Sequence, residues 1–155
     1  MEDIKHIYIG SDHAGYELKE KLKVFLTESN YKVVDKGAFK LDPGDDYPDF
    51  IIPVAKSVAE DPGSFGIIIG GSGQGEAMSA NKIDGIRAPE YYGGNSEVVK
   101  VSRLHNDANI LSLGARFIGE EEAREVINLF LETKFSEDKR HIKRINKIKE
   151  EEINN

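Results

Sequence analysis

The chain of 155 residues contains no cysteine and no tryptophan. Without cysteine, disulfides, thiolate metal sites and cysteine nucleophiles are all excluded. No apolar run approaches the roughly 20 residues of a membrane-spanning helix, and the polar, acidic residues 1–5 lack the pattern of a signal peptide. The sequence therefore predicts a cytoplasmic protein with no membrane partner.

Positive charge is also scarce, since 21 lysines and arginines face 28 aspartates and glutamates, for a formal net charge of −7. Binding to nucleic acid requires a basic face that can displace counterions from phosphates. This balance argues against a nucleic-acid partner and leaves a small molecule as the predicted ligand. The length fits a single domain over residues 1–155, because two separate cores would each be too small.

Strand and helix patterns alternate along the chain, with no hairpin signal between strands. The predicted strands are 5–10, 31–35, 65–69, 86–88 and 109–113. The predicted helices are 16–30, 50–58, one that starts near Ala77, 96–104, 120–131 and 138–152. This order predicts an α/β fold, a single-domain three-layer α/β/α Rossmann-like sandwich with a parallel sheet of about five strands.

Polar residues follow three of the predicted strands directly. They are Asp12 and His13 after the first strand, the glycine-rich loop 70–76, and Arg116 beyond the strand at 109–113. Ligands of open parallel sheets bind beyond the carboxyl ends of the strands. These residues are therefore the first candidates for a functional site.

The glycine-rich loop reads Gly-Gly-Ser-Gly-Gln-Gly-Glu at 70–76 and follows a continuous apolar strand. Its glycines allow the backbone to approach a ligand and to present N–H groups to it, and the next helix directs its positive end to the same place. The loop matches neither the P-loop nor the dinucleotide-binding fingerprint. It predicts an anion or oxyanion site, with a tight strand-to-helix turn as the structural alternative.

Glu76 is the acidic residue that closes this loop. A carboxylate beside the N–H groups at the start of a helix is placed to act as a general base that faces an oxyanion site. The alternative is that Glu76 only complements the dipole of its own helix. Burial would raise the pKa of Glu76 and the helix dipole would lower it, and the residues alone leave both interpretations open.

Histidine and arginine residues supply further candidates. A zinc site formed by His13, His105 and a carboxylate is one alternative, which the lack of a helical i, i+4 pair of ligands disfavours. Arg140 and Arg144 share one helix face and offer two forked donors to a phosphate. The structural alternative for that face is a solvated helix paired with the acidic residues at 150–152.

Taken together, several segments resemble the ribose-5-phosphate isomerase B family, which also includes galactose-6-phosphate and allose-6-phosphate isomerases. Any one of them is a weak signal, but they occur in the family's order over nearly the whole chain. The segments are GSDHAG at 10–15, DYPD at 46–49, GGSGQGE at 70–76 with ANK at 80–82, HNDAN at 105–109, LGAR at 113–116, and Arg140-His141 with Arg144.

This resemblance implies an aldose–ketose isomerase that needs no metal or other cofactor and has its active sites at the interface of a homodimer, with the helix at 138–152 packed on the partner. A tetramer formed by two such dimers is the alternative assembly. The implied reaction interconverts ribose 5-phosphate and ribulose 5-phosphate through ring opening and a cis-enediolate. Many members carry a cysteine base where this chain has Gly70. A subgroup with the Gly-Gly-Ser-Gly-x-Gly-Glu loop uses the glutamate instead, which assigns the proton transfer to Glu76.

The resemblance also implies roles for the other matching residues. His105 would help to open the sugar ring, with Asp12 bound to a hydroxyl group. The developing enediolate oxygen would be held by Ser72 and the loop glycines Gly71, Gly73 and Gly75. The phosphate would be bound by His13, Arg116, Arg140, His141 and Arg144, some of them from the partner chain, and the sugar would contact Tyr47 and Asn106.

One segment departs from the family pattern, because residues 88–94 carry Pro89 and Glu90 where relatives continue with small apolar residues. A changed wall of the site leaves the preferred sugar open, so an isomerase of allose, galactose or tetrose phosphates is an alternative. A non-catalytic phosphate- or nucleotide-binding module of flavodoxin-like shape is a second alternative. Glu76 disfavours that module, since an acid in the loop would repel a phosphate.

Overall fold

A computed structural model describes residues 5–153 of the chain. Its one sheet has five parallel strands in the order β2-β1-β3-β5-β4. The strands are β1 (His6–Ser11), β2 (Lys32–Asp35), β3 (Phe65–Gly70), β4 (Glu90–Tyr91) and β5 (Ile110–Gly114). The helices are α1 (Tyr16–Glu28), α2 (Pro48–Glu60), α3 (Gln74–Ala80), α4 (Glu97–Asn106), α5 (Glu120–Glu132) and α6 (Lys139–Ile153).

Helices cover both faces of the sheet, which confirms the predicted α/β class. The apolar positions of α1, α4 and α5 form one core with alternate residues of the strands, such as Ile67 and Ile69. Those of α2 and α3 form a second core on the opposite face, around Ile68 and Ile110. Every residue of β3 is buried, as an uninterrupted apolar strand at the centre of a parallel sheet requires.

The predicted strand at 86–88 is wrong. Ile86 and Ala88 are buried, but this segment is held by side-chain hydrogen bonds, since the Arg87 N–H donates to Asn109 Oδ1 at 2.9 Å and the Ala88 N–H donates to Asn81 Oδ1 at 2.9 Å. The edge strand β4 lies further along, at Glu90–Tyr91, and pairs with β5. The Arg87 carbonyl also accepts from the backbone N–H groups of Asn109 and Ile110, but only Glu90 and Tyr91 pair with β5 as a strand.

A long loop between β2 and α2 is fastened to the sheet near the carboxyl end of β1. The Ser11 N–H donates to Gly37 O at 2.8 Å, and the Ala38 N–H donates back to Ser11 O at 2.7 Å. The fully buried Lys19 ammonium donates to Ala38 O at 2.7 Å and to both oxygens of Asp35. The start of the loop is therefore fixed by backbone pairing and by a paired buried charge.

Within residues 5–153, no helix is both long enough and apolar enough to cross a lipid bilayer.

Candidate active site

The polar residues that follow β1, β3 and β5 meet at one edge of the sheet. Asp12 follows β1, the loop 70–76 follows β3, and Arg116 lies two residues beyond β5. Because the three strands are neighbours and parallel, their carboxyl ends lie side by side. This confirms that the residues predicted after separate strands share one edge, which we call the carboxyl-edge cluster: Asp12, His13, Tyr47, Gly71, Ser72, Gly73, Gly75, Glu76 and Arg116.

Glu76 lies in the first turn of α3 and is only 4% exposed. Its carboxylate folds back against the end of β3, so closely that a Cβ atom at Gly70 would overlap both carboxylate oxygens. Glycine at position 70 is therefore what allows the carboxylate to reach this place. A side chain at position 70 and the Glu76 carboxylate would compete for the same volume.

The pKa of Glu76 is raised from its ordinary value. Burial is the main cause, and the negative charge of Asp12 adds to it, while a hydrogen bond from the backbone N–H of Glu76 to its own carboxylate acts in the opposite direction. Desolvation thus outweighs the hydrogen bond from the Glu76 backbone N–H. A carboxyl whose pKa is closer to neutrality is better suited to take up and release a proton.

The raised pKa of Glu76 predicts how the stability of the protein depends on pH. The folded state binds this proton more tightly than the unfolded state, so the contribution to stability is full below the ordinary pKa of glutamate and is lost as pH rises through the higher folded-state pKa. We therefore expect the difference in Tm between Glu76→Gln and the wild type to increase in favour of the variant by a few degrees from about pH 4 to pH 8. The measurement is a series of thermal melts across that range.

The control for these melts is Glu97→Gln, since Glu97 also lies in the first turn of a helix but is exposed. This exposed control should not reproduce the gain in Tm with rising pH that is expected for Glu76→Gln. A Glu76→Gln variant that is less stable than the wild type at neutral pH would contradict the assigned direction of the pKa.

The glycine loop directs its carbonyl groups toward the β5 side. Gly70 O accepts from the Ala115 N–H at 2.8 Å, Gly71 O accepts from the Arg116 N–H at 3.0 Å, and Gly73 O accepts from the Ser112 hydroxyl at 2.6 Å. In a trans peptide the following N–H points opposite to the carbonyl. The N–H groups of Gly71 and Ser72 therefore point away from β5, as an oxyanion site requires.

Tyr47 and Arg116 border this loop on two sides. The Tyr47 ring lies so close to Gly75 that a Cβ there would be 2.6 Å from its Cζ and Oη atoms. The Arg116 guanidinium lies over Gly71, where a Cβ would be 3.1 Å from Nη1. The structure thus brings one aromatic ring and one guanidinium to the same glycine loop as Glu76.

His13 is held by a carboxylate that the sequence analysis did not single out. Asp45 Oδ1 accepts from the His13 backbone N–H at 3.0 Å and lies 2.7 Å from its Nδ1. The signal for Asp45 was weak, because it is one of several acidic residues in the 42–49 loop and nothing in its spacing separates it from the others. Only the path of the loop brings it to His13.

Asp12, His13 and Asp45 each offer one ligand atom, all within 4.8 Å of one another. This is the one group within residues 5–153 whose geometry could hold a metal ion. Asp12 Oδ1 already accepts from the N–H groups of Ala14 and Gly15, and His13 Nδ1 is engaged by Asp45. These hydrogen bonds account for the arrangement without a metal.

The remaining predicted residues form a second group, the helix-end cluster: His105, Asn106, Arg140, His141 and Arg144. The His105 and His141 rings are stacked with centroids 4.4 Å apart and planes 18° apart. Burial and the charges of the neighbouring histidine and arginines lower the pKa of His141. Arg140 and Arg144 are exposed on the same helix, and Arg140 interacts with Asp138 rather than with the acidic residues at 150–152.

The two clusters lie at opposite ends of the strands, the carboxyl-edge cluster at their carboxyl ends and the helix-end cluster at their amino ends. His105 is in the last turn of α4, which leads into the amino end of β5, and Arg103 in the same turn contacts Phe65 at the start of β3. Glu76 lies beyond the carboxyl end of β3. The two ends of this strand, Phe65 and Gly70, are about 16 Å apart by the usual rise per residue. The predicted site residues therefore do not come together within a single chain. For the same reason, the alternative zinc site formed by His13 and His105 is wrong within one chain.

The unusual segment 88–94 reaches the glycine loop through Tyr92. A Cβ at Gly114 would lie 2.6 Å from Ser72 O and 2.9 Å from the Tyr92 Cβ, so Gly114 separates the two. Glu90 belongs to β4, and Pro89 accepts a hydrogen bond from the Ser112 N–H at 2.9 Å. One residue of this segment that adjoins the glycine loop is therefore Tyr92, an exposed tyrosine next to Phe117.

Comparison with known sequences places this arrangement among isomerases. Residues 7–148 match the sequence model of a family described as Ribose/Galactose Isomerase. The chain is 40% identical over 144 residues to a Mycobacterium leprae protein named ribose-5-phosphate isomerase B, and the match covers 93% of this chain and 88% of that protein.

Solved structures give the same result. A ribose-5-phosphate isomerase B from Clostridium thermocellum is 42% identical with a TM-score of 0.90, covering 96% of this chain and 98% of that one. The enzyme of the same name from Mycoplasma genitalium, solved with bound ribulose-5-phosphate, is 36% identical with a TM-score of 0.92 and covers 97% of both chains.

Proposed function

The chain belongs to the ribose/galactose isomerase family, and from this membership we propose that its carboxyl-edge cluster interconverts ribose 5-phosphate and ribulose 5-phosphate. The three relatives described above, with 36–42% identity, carry the name ribose-5-phosphate isomerase B. The observation that carries the proposal is the buried Glu76 carboxylate, which lies against Gly70 beside a glycine loop whose amides point away from β5.

Glu76 is the proton carrier of this mechanism. Its carboxylate removes the proton from C2 of the open-chain aldose and returns it to C1 of the enediolate, while the hydroxyl proton passes from O2 to O1 and C2 becomes the ketone. One group performs both steps because the two carbons are adjacent. The raised pKa of Glu76 suits this cycle, since the group must be ionised to take the proton and must then hold it until transfer.

The amides of the glycine loop stabilise the intermediate. Negative charge develops on the oxygen at C1 as the proton leaves C2, and the loop Gly71, Ser72, Gly73 and Gly75 presents N–H groups and a hydroxyl to it. A preorganised donor of this kind contributes about 3 kcal/mol to transition-state stabilisation. Asp12, whose Oδ1 faces two backbone amides, keeps its other oxygen for a sugar hydroxyl, and Tyr47 lines the pocket.

A second copy of the chain completes the site. The helix-end cluster contains His105 for ring opening, Asn106 for a sugar hydroxyl, and Arg140, His141 and Arg144 for the phosphate. These groups lie at the opposite edge of the sheet from Glu76, so they reach the carboxyl-edge cluster only from a partner. In a homodimer with two-fold symmetry each copy would give its helix end to the other's glycine loop, with α6 packed on the partner.

The phosphate would then sit between charges from both chains, with His13 and Arg116 on one side and the arginines of α6 on the other. Binding the phosphate holds the reacting carbons near Glu76. No step of this mechanism requires a metal or another cofactor. A phosphorylated sugar substrate and a cysteine-free chain also fit a cytoplasmic enzyme.

The reaction is tested by incubating the protein with ribose 5-phosphate in deuterium oxide. We expect conversion to ribulose 5-phosphate, with deuterium appearing at the carbon to which Glu76 returns its proton. Allose, galactose and erythrose phosphates in the same assay should turn over at least about tenfold more slowly, since a phosphate displaced by one carbon loses charge-assisted contacts.

Two other outcomes would change the assignment. A preference for a hexose or tetrose phosphate would keep the reaction type and replace the substrate. Tight binding of a nucleotide with no exchange into any sugar phosphate would identify a non-catalytic module and overturn the proposal.

A further inference from the structure

Asp45 forms a close pair with His13 at the rim of the carboxyl-edge cluster. Its Oδ1 lies 2.7 Å from Nδ1 of His13 and 3.0 Å from the backbone nitrogen of the same residue. The Asp45 side chain is 7% exposed and the His13 side chain is 31% exposed. The carboxylate is thus enclosed behind the imidazole, and the open edge of the ring faces outward.

This contact fixes which nitrogen of His13 can meet a ligand. A carboxylate only accepts hydrogen bonds, so Nδ1 must carry the proton in this pair. Nε2 is then the one ring atom left to contact a substrate. The second hydrogen bond, to the backbone of His13, ties Asp45 to the same residue at two points and restricts rotation of the ring.

Charged groups from three segments face the His13 ring. Asp45 from the β2–α2 loop and the adjacent Asp12 favour the imidazolium, while Arg116 from the turn after β5 opposes it. The balance raises the pKa of His13, with the hydrogen bond to Asp45 as the largest cause. In this environment the imidazolium form of His13, with an Nε2–H donor, is favoured relative to a free histidine.

We propose that Asp45 is a positioning residue, which orients His13 and keeps it cationic so that its Nε2–H binds the substrate phosphate. This inference rests on the proposed function, in which His13 is one of the phosphate ligands. Asp45 does not touch the reacting carbons, and it would act on substrate affinity rather than on proton transfer.

The loop that carries Asp45 is built to hold it. Its start is fixed by Lys19 and by the pairing of Ser11 with residues 37 and 38. Closer to Asp45, the Asp45 N–H donates to Asp42 O at 3.1 Å, and the Gly44 N–H donates to Asp42 Oδ1 at 3.0 Å. The carboxylate therefore comes from an ordered turn, as a positioning residue requires.

The test is Asp45→Asn, with Asp46→Asn as the matched control because Asp46 is exposed one position further on. Asparagine can still accept from Nδ1 but carries no charge. We expect KM for ribose 5-phosphate to rise about tenfold, the effect of losing one charge-assisted hydrogen bond, with kcat within about threefold of wild type. The rise should be larger at pH 8 than at pH 6.

A titration of the His13 ring by NMR measures the effect of Asp45 on His13 without enzyme turnover. The midpoint should fall in Asp45→Asn and stay unchanged in Asp46→Asn, and inorganic phosphate should shift the His13 signal less in the first variant. A wild-type protein with no isomerase activity would end the proposed function, but this titration would still decide whether Asp45 controls His13.

The double variant separates positioning from a general structural role. In a His13→Gln background, Asp45→Asn should add nothing further to KM, since the two residues would act as one unit. An additive rise in KM, an unchanged His13 titration, or a loss confined to kcat would each overturn the proposal.

Discussion

Replacing Glu76 with glutamine should lower kcat for ribose 5-phosphate by about 10³-fold or more, with KM close to that of the wild type. Glutamine keeps the size of the side chain and fits beside Gly70, but it cannot take a proton from carbon. The substrate contacts proposed for the glycine loop, His13 and Arg116 remain. The measurement is steady-state kinetics together with deuterium exchange, which should disappear in parallel.

Glu97→Gln is the matched control for this experiment, because it removes an acid from the first turn of another helix, at an exposed position. It should leave kcat unchanged. The melts of Glu76→Gln guard against a trivial loss of fold, since this variant is expected to be at least as stable as the wild type at neutral pH. A folded Glu76→Gln enzyme with near-normal turnover would refute the mechanism.

Co-expression of two inactive variants should restore activity if each site is shared between two chains. Glu76→Gln damages the carboxyl-edge cluster and His105→Asn damages the helix-end cluster. A heterodimer of the two has one site with both defects and one site with none. With different affinity tags on the two chains, the purified heterodimer should show about half of the wild-type activity, as two-fold symmetry implies.

The control pairs Glu76→Gln with Asp12→Asn, two changes in the same cluster. Each site of that heterodimer keeps one defect, so no activity should return. If each chain held a complete site, the first pair would also stay inactive. Recovery in the first pair alone would therefore support both the homodimer and the division of the site between the two sheet edges.

Much of the fold could be predicted because the apolar pattern of this chain is strong. The uninterrupted run of β3 indicated a central buried strand, and the helices α1, α2, α5 and α6 lie where their periodicity placed them. The edge strand β4 was harder to predict from the sequence. β4 has two residues and draws its stability from one neighbour, so neither pattern nor propensity distinguished it from the apolar segment just before it.

The location of the carboxyl-edge cluster was also largely predictable. Asp12, the glycine loop, Glu76 and Arg116 follow strands directly, and parallel strands bring such residues to one edge. Asp45 was not predictable in this way, because its position depends on a loop of more than ten residues that returns to β1. The pKa of Glu76 was undecided for a similar reason, since burial is a property of the packed molecule.

By itself the sequence determined the reaction type through the family that its motifs resemble, since those motifs occur in order over nearly the whole chain. The order of strands determined which of these groups share an edge of the sheet. The tertiary structure decided two further matters. It showed that the Glu76 carboxylate occupies the space beside Gly70, out of water, where burial raises its pKa. It also placed His105 and the α6 arginines at the opposite end of the strands from Glu76. This separation depends on how the helices pack across the sheet and not on any local sequence pattern.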